Sequence, residues 1–219
     1  MGKLVPLLNS SPLTPVSEVC SCLSSVLYVD IDRCAGHETT ANAITRTLDI
    51  LATQQDLQDR LRTEVRKARA DSATEDDLSY DTLMGLPLMD AVVREVLRLY
   101  PPVPRIPREA KVDVVVPLSV PVKSADGKTD ITRVFVPKGT TIHVSIAGMN
   151  RSRDVWGDDA KEFKPERWLR AGGPADVTPA FAKIPGVFSS MMTFSGGPKN
   201  CLGWRMAVLE ISALNVSPL

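Results

Sequence analysis

The sequence predicts a mainly α-helical fold with a small β-sheet. A long stretch of apolar residues at helical spacing and two β-branched runs flanking a turn support this prediction. Hydrophobic residues make up 43% of the 219-residue chain, which is enough to bury a sizeable core. Lys and Arg number 26, as do Asp and Glu, so net charge gives no reason to expect nucleic acid or an anionic membrane as partner.

The clearest helical pattern covers residues 38–70. Its apolar positions follow the 3.6-residue repeat of an α-helix: Ile44, Leu48, Leu51, Leu57, Leu61 and Val65. A second helix is predicted over residues 87–100, because a first turn tolerates proline and the following Pro101 cannot continue the helix.

The small sheet is predicted from residues 112–122 and 131–136, which flank the turn signal Ser124-Ala125-Asp126-Gly127. Residues 140–147 predict another strand or a short helix. A final helix is predicted to start near Cys201 and to place three residues on one face: Met206, Leu209 and Ala213.

The N-terminal stretch is rich in Ser and Pro. Its apolar run is too short and too broken by proline to span a bilayer or to form a signal sequence, so we expect no membrane segment in this chain. The four cysteines have a spacing that predicts neither a disulfide framework nor a zinc ribbon and that suits a reducing compartment: Cys20, Cys22, Cys34 and Cys201.

A glycine-rich loop brings one cysteine to the start of a predicted helix, in the segment Phe194-Ser195-Gly196-Gly197-Pro198-Lys199-Asn200-Cys201-Leu202-Gly203. Unpaired amide N–H groups and the positive end of the helix dipole favour a thiolate there. Gly197 and Gly203 let the backbone approach a flat macrocycle where a Cβ would collide. The alternative is a buried structural cysteine, and spacing alone does not decide between the two.

An acid and a base lie three residues apart on the second predicted helix. Glu95 and Arg98 share a face with apolar residues, where an ion pair is costly unless further hydrogen bonds satisfy it. An ordinary surface pair is the alternative interpretation.

A third segment, Ala35-Gly36-His37-Glu38-Thr39-Thr40, places a carboxylate and a hydroxyl beside a glycine. Such a pair can relay protons through water, although the same residues also suit the first turn of a helix. We interpret His37 as a plain polar residue, because His143 is the other histidine of the chain and does not lie at a helical spacing from it.

These segments together resemble the cytochrome P450 family. Phe194, Gly197, Cys201 and Gly203 match its cysteine loop, Phe-x-x-Gly-x-Arg-x-Cys-x-Gly. The resemblance implies that Cys201 binds the iron of haem b as a thiolate and that Phe194 lies against the thiolate side of the haem. Lys199 stands where the family usually has an arginine that pairs with a haem propionate, and lysine keeps the charge but not the bidentate fork.

The resemblance extends to the other two segments. In the family, Glu-x-x-Arg is completed by an arginine from a later Pro-Glu-Arg segment, which implies a network of Glu95, Arg98 and Arg167 that holds the cysteine loop. Glu38 and Thr39 resemble the acid and alcohol that relay protons to bound oxygen.

Weaker similarities lie between these segments. Arg108 resembles a residue that pairs with a haem propionate, and Val103 and Pro104 lie where the family contacts substrate. The sequence is similar above all to eukaryotic, fungal microsomal members.

The resemblance implies the proximal, C-terminal half of the cytochrome P450 fold, incomplete at both ends, with a divergent leader over residues 1–34 and a partial haem domain over 35–219. It implies a monooxygenase that inserts one atom of O2 into a small organic substrate, with electrons from an NADPH-dependent reductase. Family members suggest the cytosolic face of the endoplasmic reticulum membrane, whereas this chain alone is expected in the cytoplasm. The alternatives are a truncated, non-catalytic remnant unable to hold haem, and an isomerase or peroxygenase of the same family.

Overall fold

The computed structural model describes residues 32–72, 78–169, 186–189 and 191–216. Within these ranges the α-helices are α1 Glu38–Thr53, α2 Gln55–Ala70, α3 Tyr80–Met84, α4 Pro87–Leu99, α5 Ile146–Asn150, α6 Arg153–Trp156 and α7 Trp204–Val216. The strands are β1 Arg105–Glu109, β2 Val114–Lys123, β3 Asp130–Val136 and β4 Thr141–Ser145. The predicted class, mainly α with little β-structure, is confirmed.

The predicted continuous helix over residues 38–70 is two helices. Gln54 leaves the helical region of backbone space, with φ −116° and ψ 78°, and separates α1 from α2. The Thr53 hydroxyl donates to the Ile50 carbonyl at 2.9 Å, a local bond that competes with regular helix geometry. The apolar stripe nevertheless continues across the break, because Leu51 and Leu57 are both buried.

Helix α4 lies at the centre of the core. It contacts α1, α2 and α7, and nearly all of its residues are buried. Its first turn begins with Pro87, and its free amide groups are bonded by a side chain from α2: Glu64 accepts from Leu88 N at 2.8 Å and from Met89 N at 3.0 Å. The helix ends before Pro101, as predicted.

The β-structure consists of two antiparallel pairs, β1 with β4 and β2 with β3, instead of one sheet. The predicted hairpin is confirmed, and its turn closes through Gly127, whose φ of 71° suits glycine and whose N–H donates to the Ser124 carbonyl at 2.8 Å. Residues 140–147 contain a strand and the start of a helix, where the sequence allowed either.

The final helix begins near Cys201, as predicted, but the residues that the pattern placed on one face are not the ones that the structure buries. It begins at Trp204, and its buried residues are Val208, Ile211, Ser212, Asn215 and Val216. Met206 is 57% exposed and Ala213 is also exposed. Because α7 is apolar on more than one side, the sequence pattern does not determine which side packs.

The predicted leader, residues 1–34, lies outside the described residues except for the backbone of 32–34, so that division of the chain stays a prediction. Among the described helices, none is both long and apolar enough to cross a bilayer.

Candidate functional site

Cys201 lies in an exposed loop between the 3₁₀ turn Gly197–Lys199 and helix α7. Its N–H donates to the Phe194 carbonyl at 2.9 Å, which closes the loop at its base. Phe194 itself is buried. The loop is therefore anchored on its apolar side while the thiol-bearing residue faces solvent.

Two of the three glycines in the loop, Gly197 and Gly203, leave space beside Cys201. Gly197 has a φ of +73°, a conformation that favours glycine, and no heavy atom lies within 4 Å of a Cβ added there or at Gly203. Leu202 between them is 100% exposed. The loop thus presents one sulfur and an open, partly apolar surface.

An aromatic cluster supports this loop from within. Phe194 meets Phe188 edge to face, with ring centroids 5.6 Å apart and an interplanar angle of 80°. The ring centroid of Trp204, the first residue of α7, lies 5.5 Å from that of Phe188 and 6.5 Å from that of Phe194. The cluster connects both ends of the cysteine loop.

Glu95 and Arg98 are both fully buried, and the structure brings them together with Arg167. The Glu95 carboxylate accepts from Arg98 Nε and Nη2, each at 2.8 Å, and from Arg167 Nε at 2.9 Å. It also accepts from the Lys164 backbone N–H and from Trp168 Nε1, each at 2.9 Å. This is a buried network, not a surface pair.

Arg98 uses all five of its N–H groups. Beyond the two bonds to Glu95, Nη1 donates to the carbonyls of Asn150 at 2.8 Å and Ala160 at 2.6 Å, and Nη2 donates to that of Glu162 at 3.1 Å. The guanidinium thereby joins α4 to the segment that follows α5.

Arg167 extends the network to the loop before it. Its Nη1 and Nη2 donate to the side chain and the carbonyl of Asp159, at 3.2 and 3.1 Å. The hydrogen bond from Lys164, at 2.9 Å, together with the nearby Arg167 charge, lowers the pKa of Asp159 although partial burial opposes the shift.

Asn150 links this network to the cysteine loop, a role that the sequence did not predict. Its carbonyl accepts from Arg98, its Oδ1 accepts from Met192 N at 2.9 Å, and its Nδ2 donates to Thr193 Oγ1 at 2.8 Å. Met192 and Thr193 directly precede Phe194. Asn150 is fully buried, so its polar groups depend on these partners.

Glu38 and Thr39 begin helix α1, immediately after a π-helical turn, Asp32–His37. Glu38 is exposed, and the half-buried Thr39 donates its hydroxyl hydrogen to the Ala35 carbonyl at 2.7 Å. Helix α1 packs against α7, the helix that follows Cys201. Glu38 and Thr39 therefore lie at the start of a helix that neighbours the helix following Cys201.

The remaining predicted site residues lie on the surface. Lys199 is exposed in the 3₁₀ turn, and Arg108 is exposed on β1, where its Nη1 donates to the Pro107 carbonyl at 2.9 Å. Val103 is 42% exposed, and the exposed Pro104 accepts from Ala147 N at 3.0 Å. The structure does not bring these four residues into one cluster.

Comparison with known proteins assigns the family. The family model described as Cytochrome P450 matches residues 29–217. This match covers more than half of the chain, and the chain therefore belongs to the cytochrome P450 family.

Curated fungal proteins are similar to the same region. A cytochrome P450 monooxygenase of Hericium erinaceus is 47% identical over 82% of this chain and 32% of its own length. Cytochrome P450 monooxygenase 128 of Postia placenta is 44% identical over 94% of this chain and 36% of its own length. A ganoderic acid synthetase of Ganoderma lucidum is 44% identical over 82% of this chain and 32% of its own length. The chain spans about a third of the length of these relatives.

The residues around Cys201 fit the haem that the family implies. A flat macrocycle needs an approach free of Cβ atoms, and Gly197 and Gly203 provide one. A cysteine sulfur is a ligand that haem iron accepts. Within the described part of the chain no group of three or more His, Cys, Asp and Glu residues could hold a metal ion.

Proposed function

We propose that this chain is the haem-binding part of a haem-thiolate monooxygenase, which inserts one atom of O2 into a small organic substrate. The observation that carries the proposal is the cysteine loop. Cys201 is exposed between Gly197 and Gly203, which both have open space beside them, and its N–H donates to the Phe194 carbonyl at 2.9 Å. Relatives named as monooxygenases support the reaction class.

Bound haem b would supply the activation of O2, which a thiolate ligand favours by donating electron density to the iron. Cys201 would hold the iron, and Phe194 would shield the sulfur from the protein side. Lys199 and Arg108 carry the positive charges that would pair with haem propionates, and their exposure leaves both free to reorient.

Glu38 and Thr39 would serve the proton transfers of the reaction. The Thr39 hydroxyl can accept a hydrogen bond while it donates to Ala35, and the Glu38 carboxylate is open to water. Val103 and Pro104 would contact the substrate. An NADPH-dependent reductase is the proposed electron source, and the cytosolic face of the endoplasmic reticulum is the proposed location, as for microsomal family members.

A haem titration tests the proposal. The purified chain is mixed with haem, reduced and exposed to carbon monoxide, and we expect the red-shifted band of a thiolate complex. Where the chain alone takes up little haem, the same measurement is made on a chimera in which it replaces the matching third of Postia placenta monooxygenase 128.

Cys22→Ala is the matched control, because it removes a cysteine outside the proposed site. Cys201→Ala should abolish the band, and Cys22→Ala should retain it. A band that persists in Cys201→Ala would refute the ligand assignment. Absence of the band from the chimera would favour a non-catalytic remnant.

A further inference from the structure

Arg94, the residue before Glu95 on helix α4, contacts the segment that precedes Cys201. The half-buried Arg94 donates from Nε to Asp90 Oδ2 at 2.6 Å, and its Nη1 bonds to the Ser189 hydroxyl. Its guanidinium lies over the Phe188 ring, 5.0 Å from the centroid. One side chain therefore joins α4 to two consecutive residues of the segment.

The residues that Arg94 contacts, Phe188 and Ser189, lie where the chain reverses direction between Phe188 and Met191. We call this turn the reversal. Phe188 forms a β-bridge with Met191, and Val187 N donates to the Ser195 carbonyl at 3.2 Å. Ser189 has a φ of +53°, a left-handed conformation that is uncommon for a residue other than glycine. Such a conformation persists where its surroundings hold it, and Arg94 supplies a bond to this residue.

The reversal is connected to the cysteine loop through the aromatic cluster. Phe188 packs against both Phe194 and Trp204, at 5.6 and 5.5 Å, and these two residues lie on either side of Cys201 in the sequence. The Phe194 carbonyl bonds to the Cys201 amide. A change in the position of Phe188 would therefore reach the backbone of Cys201.

We propose that Arg94 is a positioning residue for Cys201: bound to Asp90 and Ser189 and stacked on Phe188, it fixes the reversal and hence the cluster that supports the cysteine loop. The role of Cys201 as iron ligand rests on the function proposed above, but the contacts of Arg94 do not. Arginine suits this position because its planar fork bonds to two partners while its face stacks on a ring. Lysine keeps the charge and can pair with Asp90, but it offers no planar face.

Hydrogen–deuterium exchange of the purified 219-residue chain, without haem, tests this role. The reporter is the Cys201 amide, and the reference is the set of amides in α2, Gln55–Ala70. In Arg94→Lys and in Ser189→Ala we expect the Cys201 amide to exchange about tenfold faster, because a charged hydrogen bond that holds the loop is lost. Exchange in α2 should not change.

Arg205→Lys is the matched control. Arg205 is exposed and its guanidinium lies 5.2 Å from the centroid of the Trp204 ring of the same cluster, so its replacement removes a stacked arginine that has no hydrogen bond to Phe188 or Ser189 in the described part of the chain. Exchange at Cys201 should match the wild type in this variant. The double variant Arg94→Lys/Ser189→Ala should exchange no faster than Arg94→Lys alone, because Arg94→Lys already removes the bond to Ser189.

Unchanged Cys201 exchange in both single variants would overturn the proposal. So would additive effects in the double variant, or an equal increase in α2, because either would show general destabilisation. Failure of haem ligation by Cys201 would leave the exchange result intact, so the two proposals can fail separately.

Discussion

Glu95 is a carboxylate without solvent contact, held on a helix among apolar side chains. A buried ion of this kind is expensive unless its lone pairs are satisfied. Here two arginines, an indole N–H and a backbone N–H all donate to it. Removal of either arginine therefore leaves the buried Glu95 carboxylate with less compensating charge and with unfilled acceptor positions.

Replacement of Arg98 or Arg167 by alanine should therefore destabilise the fold strongly. We expect a loss of unfolding free energy on the order of 3–5 kcal/mol in each variant, as for other broken buried pairs. Urea unfolding followed by tryptophan fluorescence measures it. Arg60→Ala is the control, because Arg60 pairs with Glu166 on the surface and should cost about 1 kcal/mol or less. Equal effects at Arg60 and Arg98 would contradict the buried network.

Asn150 should matter for the cysteine loop although it lies far from it in sequence. Asn150→Ala leaves the Met192 N–H without its acceptor, and the Thr193 hydroxyl loses one donor while it still donates to the Leu97 carbonyl, at a cost of about 2 kcal/mol. Thermal unfolding of Asn150→Ala checks this value. Asn42→Ala, an exposed asparagine on α1, should shift stability by about 0.5 kcal/mol or less. Similar results for the two variants would exclude the proposed link.

Among the helices and strands, those marked by a local signal in the sequence could be predicted. Helix α4 has a wide apolar face and proline at both boundaries, and the β2–β3 hairpin has a glycine turn, so both could be predicted. Helix α3 has five residues, too few for an apolar repeat, and strand β1 depends on pairing with β4, so periodicity marks neither element. The break at Gln54 follows a local side-chain bond of Thr53, whereas the buried face of α7 depends on packing.

The start of α4 gives a test of one such packing contact. Glu64 accepts hydrogen bonds from the Leu88 and Met89 amides, so Glu64→Ala should cost about 0.5–2 kcal/mol, as for other lost helix caps. Glu64→Gln keeps one acceptor oxygen and should lose less. Chemical denaturation compares the two variants. An alanine variant as stable as the wild type would show that the cap contributes nothing.

The free energy of unfolding of the whole molecule should fall in acid, because two carboxylates beside the network of Glu95, Arg98 and Arg167 have lowered pKa values. The pKa of Asp159 is lowered chiefly by Lys164, and that of Glu166 chiefly by Arg60. A carboxyl whose folded pKa lies below its unfolded value stabilises the fold above the unfolded value, about 4, and loses that contribution as pH falls through the folded pKa.

Lys164→Gln isolates the Asp159 contribution. The stability difference between wild type and Lys164→Gln should be largest near neutral pH and should shrink as pH falls below the ordinary aspartate pKa, about 4, and through the lowered pKa of folded Asp159. Urea unfolding over this range measures the difference. The control is Lys161→Gln, an exposed lysine of the same loop, whose effect should not change with pH. A constant difference for Lys164→Gln would argue against the Asp159 pairing.

The candidate site as a whole was only partly predictable. The cysteine loop and the Glu95–Arg98 spacing are short patterns that can be found in one sequence. Arg94 meets Ser189 and Asn150 meets Thr193 across separations of 95 and 43 residues, and no spacing rule connects such pairs. These contacts exist only in the folded chain, which explains why sequence analysis missed the residues that support Cys201.

X-ray absorption at the iron of the haem-loaded protein tests the central claim, that Cys201 is the thiolate ligand. We expect a sulfur atom in the first coordination shell of the wild type and of Cys22→Ala, and nitrogen and oxygen neighbours alone in Cys201→Ala. A sulfur neighbour that persists in Cys201→Ala, or a wild-type spectrum without sulfur, would contradict the account.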